Sequence, residues 1–313
     1  MKKSQARERR VKVQHMPVEK EHAPDHSPDQ KNRRPSLACQ PPCTVKIQVW
    51  TETRTYVLLL GMDLTYEAKY HQLEEQHWWF ASRRDAVYDL LQSLELPPTA
   101  AILEIGCSGG PLMQRLQAAG YSDITGIDVS APAIELAHAR GVANASLMDG
   151  AALDFADARF DVVIASDVLE HIEDEGRALR EWTRVLKPGG QLLVFVPAHA
   201  YLWSTHDVVN HHFRRYSRQG LVAALSRAGL RTQRSSFWNA AMYFPTAALR
   251  LGRRLLTDPA AAGKKPGSTG DLLHVAGPIN KLLLQWVKAE NWLLRHVNLP
   301  LGVSVFALAQ KPA

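Results

Sequence analysis

The chain has 313 residues, 46% of them hydrophobic, and a formal net charge of +6 at pH 7. This suits one large α/β domain with additions, or two small domains, and no run of about 18 apolar residues exists to span a membrane. Three cysteines, Cys39, Cys43 and Cys107, do not make a disulfide framework. Cys39 and Cys43 lack the second pair that a zinc site needs, so no metal is expected.

The charge is unevenly placed. Residues 1–61 hold 12 Lys/Arg against 6 Asp/Glu, which is +6; residues 62–199 hold 10 against 21, which is −11; residues 200–313 hold 15 against 4, which is +11. The basic last third reads either as a solvated surface or as one that meets an anionic substrate or a membrane face. The opening MKKSQARERRVKVQHM has no apolar stretch behind it, unlike a secretory signal. The expected location is the cytoplasm, with room for peripheral contact at the inner membrane face.

Residues 1–61 are rich in charge and broken by Pro17, Pro24, Pro28, Pro35, Pro41 and Pro42, and are expected to form a disordered basic extension. Residues 62–98 carry Tyr66, Tyr70, Leu73, His77, Phe80, Val87, Leu90 and Leu91 at helical spacing, and predict a helical cap ended by Pro97 and Pro98. From Ala101 short apolar runs alternate with short helices. AILEI, DITGIDVS, ASLMDG, FDVVIASDV and QLLVFVPA read as strands one to five. PLMQRLQAAG, APAIELAHARG and GRALREWTRVLKPGG read as helices between them, the last closed by its glycines. SRQGLVAALSRAG then gives a helix, LRTQRSSFWN a sixth strand and GVSVFALAQK a seventh. The alternation predicts a doubly wound, mostly parallel sheet over a core of 99–239. Residues 240–300 form an insertion with an apolar helical stripe (Ile279, Leu282, Leu283, Trp286, Val287, Leu293, Leu294, Val297), and 301–313 return to the sheet.

In an open parallel sheet, ligands bind beyond the carboxyl ends of the strands where strand order reverses. The first such exit is the turn Gly106, Cys107, Ser108, Gly109, Gly110, Pro111. It lacks the G-x-G-x-x-G of a dinucleotide site and the Gly-Lys-Ser/Thr of a P-loop, so nothing here cradles a pyrophosphate. Glu104 sits inside strand one, Asp128 ends strand two and Asp149 ends strand three. A carboxylate at the position of Asp128 can accept both ribose hydroxyls, and Asp149 can reach an exocyclic amine. The ligand reads as a nucleoside without phosphates.

ILEIGCSGG, GIDVS, MDG, FDVVIASDVLEHI and VLKPGGQLLVFVP, in that order, resemble the class I S-adenosylmethionine-dependent methyltransferases of the type 11 group over about Ala101–Pro197. HWWFASRRD and HDVVNHHFRRYSRQGL extend the likeness to a bacterial subgroup over about 62–313. The resemblance implies a Rossmann-like seven-stranded methyltransferase sheet, S-adenosyl-L-methionine as cofactor, and cofactor contacts at Arg83, Glu104, Gly106, Cys107, Ser108, Gly110, Asp128, Val129, Asp149, Gly150 and Ser166. Ser108 stands where the family usually has Gly. Arg83 would pair with the methionine carboxylate, and Trp78, Trp79 and Phe80 would either pack in the core or shield the sulfonium.

His171 in VLEHI, and His206 and Asp207 after strand five, are the candidates for a general base. His211, Arg214, Arg215 and Tyr216 are the candidates for an acceptor clamp. The expected acceptor is small or lipid-linked and anionic. No nucleic acid is expected, since no Asn-Pro-Pro-Tyr-like signature and no RNA module is found. A catalytically silent protein that binds the cofactor and regulates a partner is the alternative, and a nicotinamide dehydrogenase ranks last.

Overall fold

The strands AILEI, FDVVIAS and SVFALAQ are read most easily as sequence because they are buried on both faces. The computed structural model describes Glu74, residues 77–256, Val275 and residues 277–313, with backbone alone at 253–256. The expected extension over 1–61, most of the cap before His77 and the loop between the inserted helices lie outside the described residues.

The elements in order are α1 (Trp78–Gln92), β1 (Ala101–Ile105), α2 (Pro111–Ala118), β2 (Asp123–Asp128), α3 (Ala131–Ala139), β3 (Ala145–Leu147), β4 (Phe160–Ser166), α4 (Glu175–Val185) and β5 (Leu186–Pro197). There follow α5 (Thr205–Val209), α6 (Arg218–Arg227), β6 (Arg231–Trp238), α7 (Tyr243–Leu256), α8 (Gly277–Leu294) and β7 (Ser304–Gln310). The seven strands form one sheet in the order β3-β2-β1-β4-β5-β7-β6. β1 pairs in parallel with β2 and β4, and β4 with β5, while β7 lies antiparallel between β5 and β6. Strand order therefore reverses between β1 and β4, and their carboxyl ends open one crevice. The doubly wound, mostly parallel sheet is the one expected from sequence.

The helix ahead of β5 is shorter than the sequence reading. It stops at Val185, and LKPGG belongs to the strand: Leu186 pairs with Phe160 across an irregular register before Val162 meets Gln191. Pro188 has no N–H and disfavours helix at Lys187 before it. Gly190 keeps its place because a Cβ there would lie 2.9 Å from the Lys187 carbonyl.

α1 begins at Trp78 behind His77, whose ring accepts from the Trp79 amide at 3.3 Å. Trp78 is buried and Trp79 meets Trp238 edge to face at 5.1 Å, so this pair packs in the core. The inserted helix α8 lies on α1 through buried Asn291, which accepts from Trp238 Nε1 at 2.8 Å and donates to the Ser82 carbonyl at 2.9 Å. Glu290 accepts the Ala240 amide at 3.0 Å, and Asn280 accepts the Trp78 amide at 2.9 Å. No described helix is long and apolar enough to cross a membrane.

Candidate functional site

The turn after β1 is held by its own strands. The amides of Gly106 and Cys107 both donate to the Ile127 carbonyl, at 2.8 and 3.0 Å. Gly106 and Gly110 take φ of 73° and 78°, where a Cβ is costly, and a Cβ on Gly106 would also stand 2.5 Å from Val168 Cγ2. The exits of β1 and β4 are thus packed together. Ser108 also lies in the left-handed region, at φ 48°. Its hydroxyl donates to Glu74 Oε2 at 2.7 Å, a bond that the glycine usual in the family would lack.

Asp128 is aimed before any ligand arrives. One carboxylate oxygen accepts the Ser108 amide and the other the Ser130 amide, both at 2.9 Å. An ionised carboxylate offers about four lone-pair sites, so acceptor capacity remains for a diol. Glu104 is buried, and among the described residues its Oε2 has no hydrogen-bond partner. Burial raises its pKa well above the usual carboxylate range, and the neighbouring charges of Glu74 and Asp128 add to this. Asp149 is exposed at the end of β3, fixed by the Ala151 amide at 2.8 Å. Gly150 is buried behind it, and its carbonyl accepts Trp182 Nε1 at 2.8 Å. Val129 is exposed and Ser166 half-buried at the rim of the same crevice. Cys107 is buried and its thiol pKa is pushed up by burial and then by Glu104, which suits a filler of the turn and not a nucleophile.

Family comparison bears on this carboxylate-lined crevice directly: a methyltransferase domain model matches residues 103–194. The chain carries a class I S-adenosylmethionine-dependent methyltransferase domain. It is 32% identical over 158 residues to the Bos taurus protein named probable tRNA methyltransferase 9B, covering 46% of this chain and 32% of that one. It is 30% identical over 153 residues to a ubiquinone biosynthesis O-methyltransferase of Pseudomonas aeruginosa, covering 41% and 63%. It is 33% identical over 137 residues to the 27-O-demethylrifamycin SV methyltransferase of Amycolatopsis mediterranei, covering 40% and 48%. The chain thus spans less than two thirds of the length of these relatives. The methyltransferase solved with the Haloferax volcanii Trm112 activator shares the fold at 19% identity and a TM-score of 0.53, covering 80% of this chain and 95% of that one.

S-adenosylmethionine is the cofactor of this domain class, and the crevice fits it. A buried carboxylate oxygen without a donor, an exit turn whose glycine leaves no room for a side chain, and three carboxylates around one opening suit a cationic nucleoside.

Other residues named from sequence lie differently from their expected roles. Arg83 is buried and turned to the protein: it donates to Asp167 at 3.1 Å and Ser304 at 2.6 Å, with its guanidinium 4.2 Å from the Trp238 ring centre and 4.6 Å from that of Phe195. Asp167, at φ 58° after β4, takes the charge assigned to a methionine carboxylate. Asp207 is fully buried in the first turn of α5, where it closes a capping box with the N-cap Ser204, accepting from the Ser204 amide at 2.8 Å, Arg215 Nε at 2.7 Å and His212 Nδ1 at 2.9 Å. Burial opposes its charge, but the bonds from His212 and Arg215 win and hold its pKa below the usual carboxylate range. Such a group does not accept a substrate proton, which corrects the reading of Asp207 as a base.

The acceptor clamp is corrected likewise. The Arg215 side chain is 4% exposed and spends itself on Asp207 and the Ala198 carbonyl. Arg214 binds the Glu173 carbonyl and lies 3.4 Å from Glu175, and Tyr216 donates to Glu175 at 2.8 Å. These residues lock the loop after β5 onto α4. His211 is exposed at φ 53°, and His206 is half-buried beside Asn210. His171 is exposed after β4, its ring edge to face with His212 at 4.6 Å. The partners Glu74, Asp167 and Ser304 were not singled out from sequence. Only Asp167 carried a signal there, as the first acidic residue after a Val/Ile-rich strand.

Proposed function

We propose that the protein transfers a methyl group from S-adenosylmethionine to an anionic, partly apolar acceptor, either a small molecule or one carried on a lipid. The observation that carries the transferase reading is the pairing of a doubly anchored Asp128 with a buried, donor-less Glu104 at the point where strand order reverses. In this reading Asp128 receives the ribose hydroxyls and Glu104 the amino group of the methionine part. The backbone of Gly106–Gly110 lines the turn, and Asp149 faces the base. When bound, the cofactor supplies a methyl group already activated by the sulfonium charge. The chain's work is then mainly alignment and exclusion of water. With Asp207 occupied, proton acceptance from the acceptor falls to the imidazole of His206 after β5; burial and the neighbouring His212 push the His171 pKa down to about 3, which leaves it a poor base.

The acceptor reading rests on the insertion. α7 and α8 expose Phe244, Leu282, Trp286 and Trp292, each more than 60% accessible, within the third of the chain that carries a balance of +11. An apolar face in a basic region matches an anionic molecule with an apolar part, or a membrane bearing one.

Calorimetry with S-adenosylhomocysteine should give micromolar binding, about −8 kcal/mol. Labelled methyl groups should pass into the lipid or organic-acid fraction of a cell extract. Binding of a nicotinamide dinucleotide in its place, or label found only in RNA, would replace this reading.

A further inference from the structure

Three ligating side chains meet beside the crevice without a role in holding the cofactor. One carboxylate oxygen of Glu170 and one ring nitrogen each of His171 and His212 lie within 4.8 Å of one another. The sequence reading expected no metal, because Cys39 and Cys43 have no second pair. The structure selects different partners. Glu170 and His171 come from the single turn after β4, and His212 is brought over from the loop after β5 by the bond between the Phe213 amide and the Glu170 carbonyl, at 2.8 Å.

We infer that Glu170, His171 and His212 form a binding site for a divalent transition ion, of which zinc is the best fit.

Three further observations support it. Glu170 is 1% exposed, and among the described residues its Oε2 has no hydrogen-bond partner. A carboxylate so placed is costly unless a cation or donor meets it. His212 bonds Asp207 Oδ1 through Nδ1 at 2.9 Å, which leaves Nε2 as its ligating atom. A buried carboxylate behind a histidine is the outer-shell partner that metal-bound imidazoles regularly have, and it fixes their tautomer and ring direction. His171 is an exposed residue, and its ring already lies edge to face with that of His212 at 4.6 Å. Two imidazoles and one carboxylate suit zinc, iron(II) or manganese and not calcium or magnesium. Bound zinc would place its ligand atoms roughly 3.3 Å apart. Closing to that spacing from within 4.8 Å asks for a movement of about 1.5 Å or less, within reach of one surface side chain.

The ion would stand at the exit of β4, on Glu170, two residues along the chain from Val168, whose side chain packs against Gly106. It would offer its open position to water or to an acceptor oxygen. That role rests on the methyl-transfer reading, whereas ion binding does not. His171 would be occupied as a ligand, leaving His206 as the proton acceptor.

The test uses the full chain without a histidine tag, stripped with chelator. Titration with Co²⁺ should give ligand-field absorption saturating at one ion per chain, and Zn²⁺ should displace it, following the usual affinity order. His171→Ala and Glu170→Gln should each weaken Co²⁺ binding at least tenfold while S-adenosylhomocysteine affinity stays within twofold. Thermal melts of both variants, read beside the S-adenosylhomocysteine titration, show that each remains folded. Absence of saturable Co²⁺ binding in the wild type, or less than tenfold weakening in both variants, overturns the site. Neither result touches the cofactor reading, which the S-adenosylhomocysteine titration reports separately.

Discussion

Glu104 and Asp207 are both buried carboxylates, yet their surroundings push them in opposite directions. Glu104 has its pKa raised by burial and like charge, so the folded chain holds its proton more tightly than the unfolded chain does. Its contribution to stability is therefore present at low pH and is lost as pH rises from the unfolded value near 4.5 through the folded one. In the proposed reading, the cofactor's amino group would relieve that penalty. Glu104→Gln should accordingly raise the apo melting temperature at pH 8 and weaken S-adenosylhomocysteine binding at least tenfold. Calorimetry and thermal melts of one preparation check both, and a variant that loses stability would mean that Glu104 holds the turn together. Asp128 is the contrasting case at the same opening. Asp128→Ala should weaken binding by about 1.5–3 kcal/mol, the range for charge-assisted bonds. For Asp207 the sign is reversed: its lowered pKa gives stability that is present above the unfolded value and lost only as pH falls through the folded one. Asp207→Asn leaves buried Arg215 without its counter-charge, and should cost about 3–5 kcal/mol in urea unfolding at pH 7. A loss below 1 kcal/mol would show that the loop after β5 is held elsewhere.

At the level of elements, what could be read from sequence was whatever repeats locally. Runs such as AILEI and VVIAS announce strands because a parallel sheet buries both of their faces. The exit turn was legible because Gly106 and Gly110 occupy positions where side chains fail. The failures share one cause, which is pairing across long sequence distances. Nothing near Arg83 reports that Asp167 and Ser304 will meet it, and nothing near Arg215 reports that it will meet Asp207 in the capping box of a five-residue helix. LKPGG reads as a helix stop, and only its pairing with Phe160 shows it to be the start of a strand. The inserted helix α8 illustrates both sides. Its apolar stripe gives the helix, but its attachment depends on Asn291, a polar residue in an apolar seam. Asn291→Leu should strand the Trp238 indole N–H and the Ser82 carbonyl. The expected cost is about 2–4 kcal/mol of unfolding free energy, from two unmet buried groups, read by denaturant titration with cofactor affinity as the second measurement. A neutral outcome would mean that the other attachments suffice, namely Asn280 on the Trp78 amide, Glu290 on the Ala240 amide and the ion pair of Arg295 with Asp89.

Over the whole molecule the sequence divides its charge, and the exposed surface of α8 gives that division a direction. α8 is apolar on two sides. Val287, Asn291 and Leu294 face inward, while Ile279, Leu282, Trp286 and Trp292 stand 54–66% exposed. This outer apolar face lies among the exposed polar residues Lys281, Gln285 and Lys288. α7 adds Phe244, Leu249 and Leu251 to the uncovered set. If the acceptor is carried on a lipid, as proposed, the membrane bearing it would complete this face, with its apolar layer below anionic headgroups that match the basic surrounding chain. The protein should co-sediment with vesicles containing anionic phospholipid, and much less with purely zwitterionic ones. Each Lys or Arg near such a surface adds about 1 kcal/mol, and raising the salt should weaken the contact as the Debye length shortens. Replacing Trp286 and Trp292 together by Ser should reduce vesicle binding at least tenfold. Both side chains are exposed, so unfolding free energy should move by only about 0.5 kcal/mol at each position. Cofactor affinity should stay unchanged, since Glu104 and Asp128 lie on other elements. If the double variant binds vesicles as well as the wild type does, the apolar face is not the membrane contact. If neither protein binds anionic vesicles, the acceptor reaches the crevice from solution.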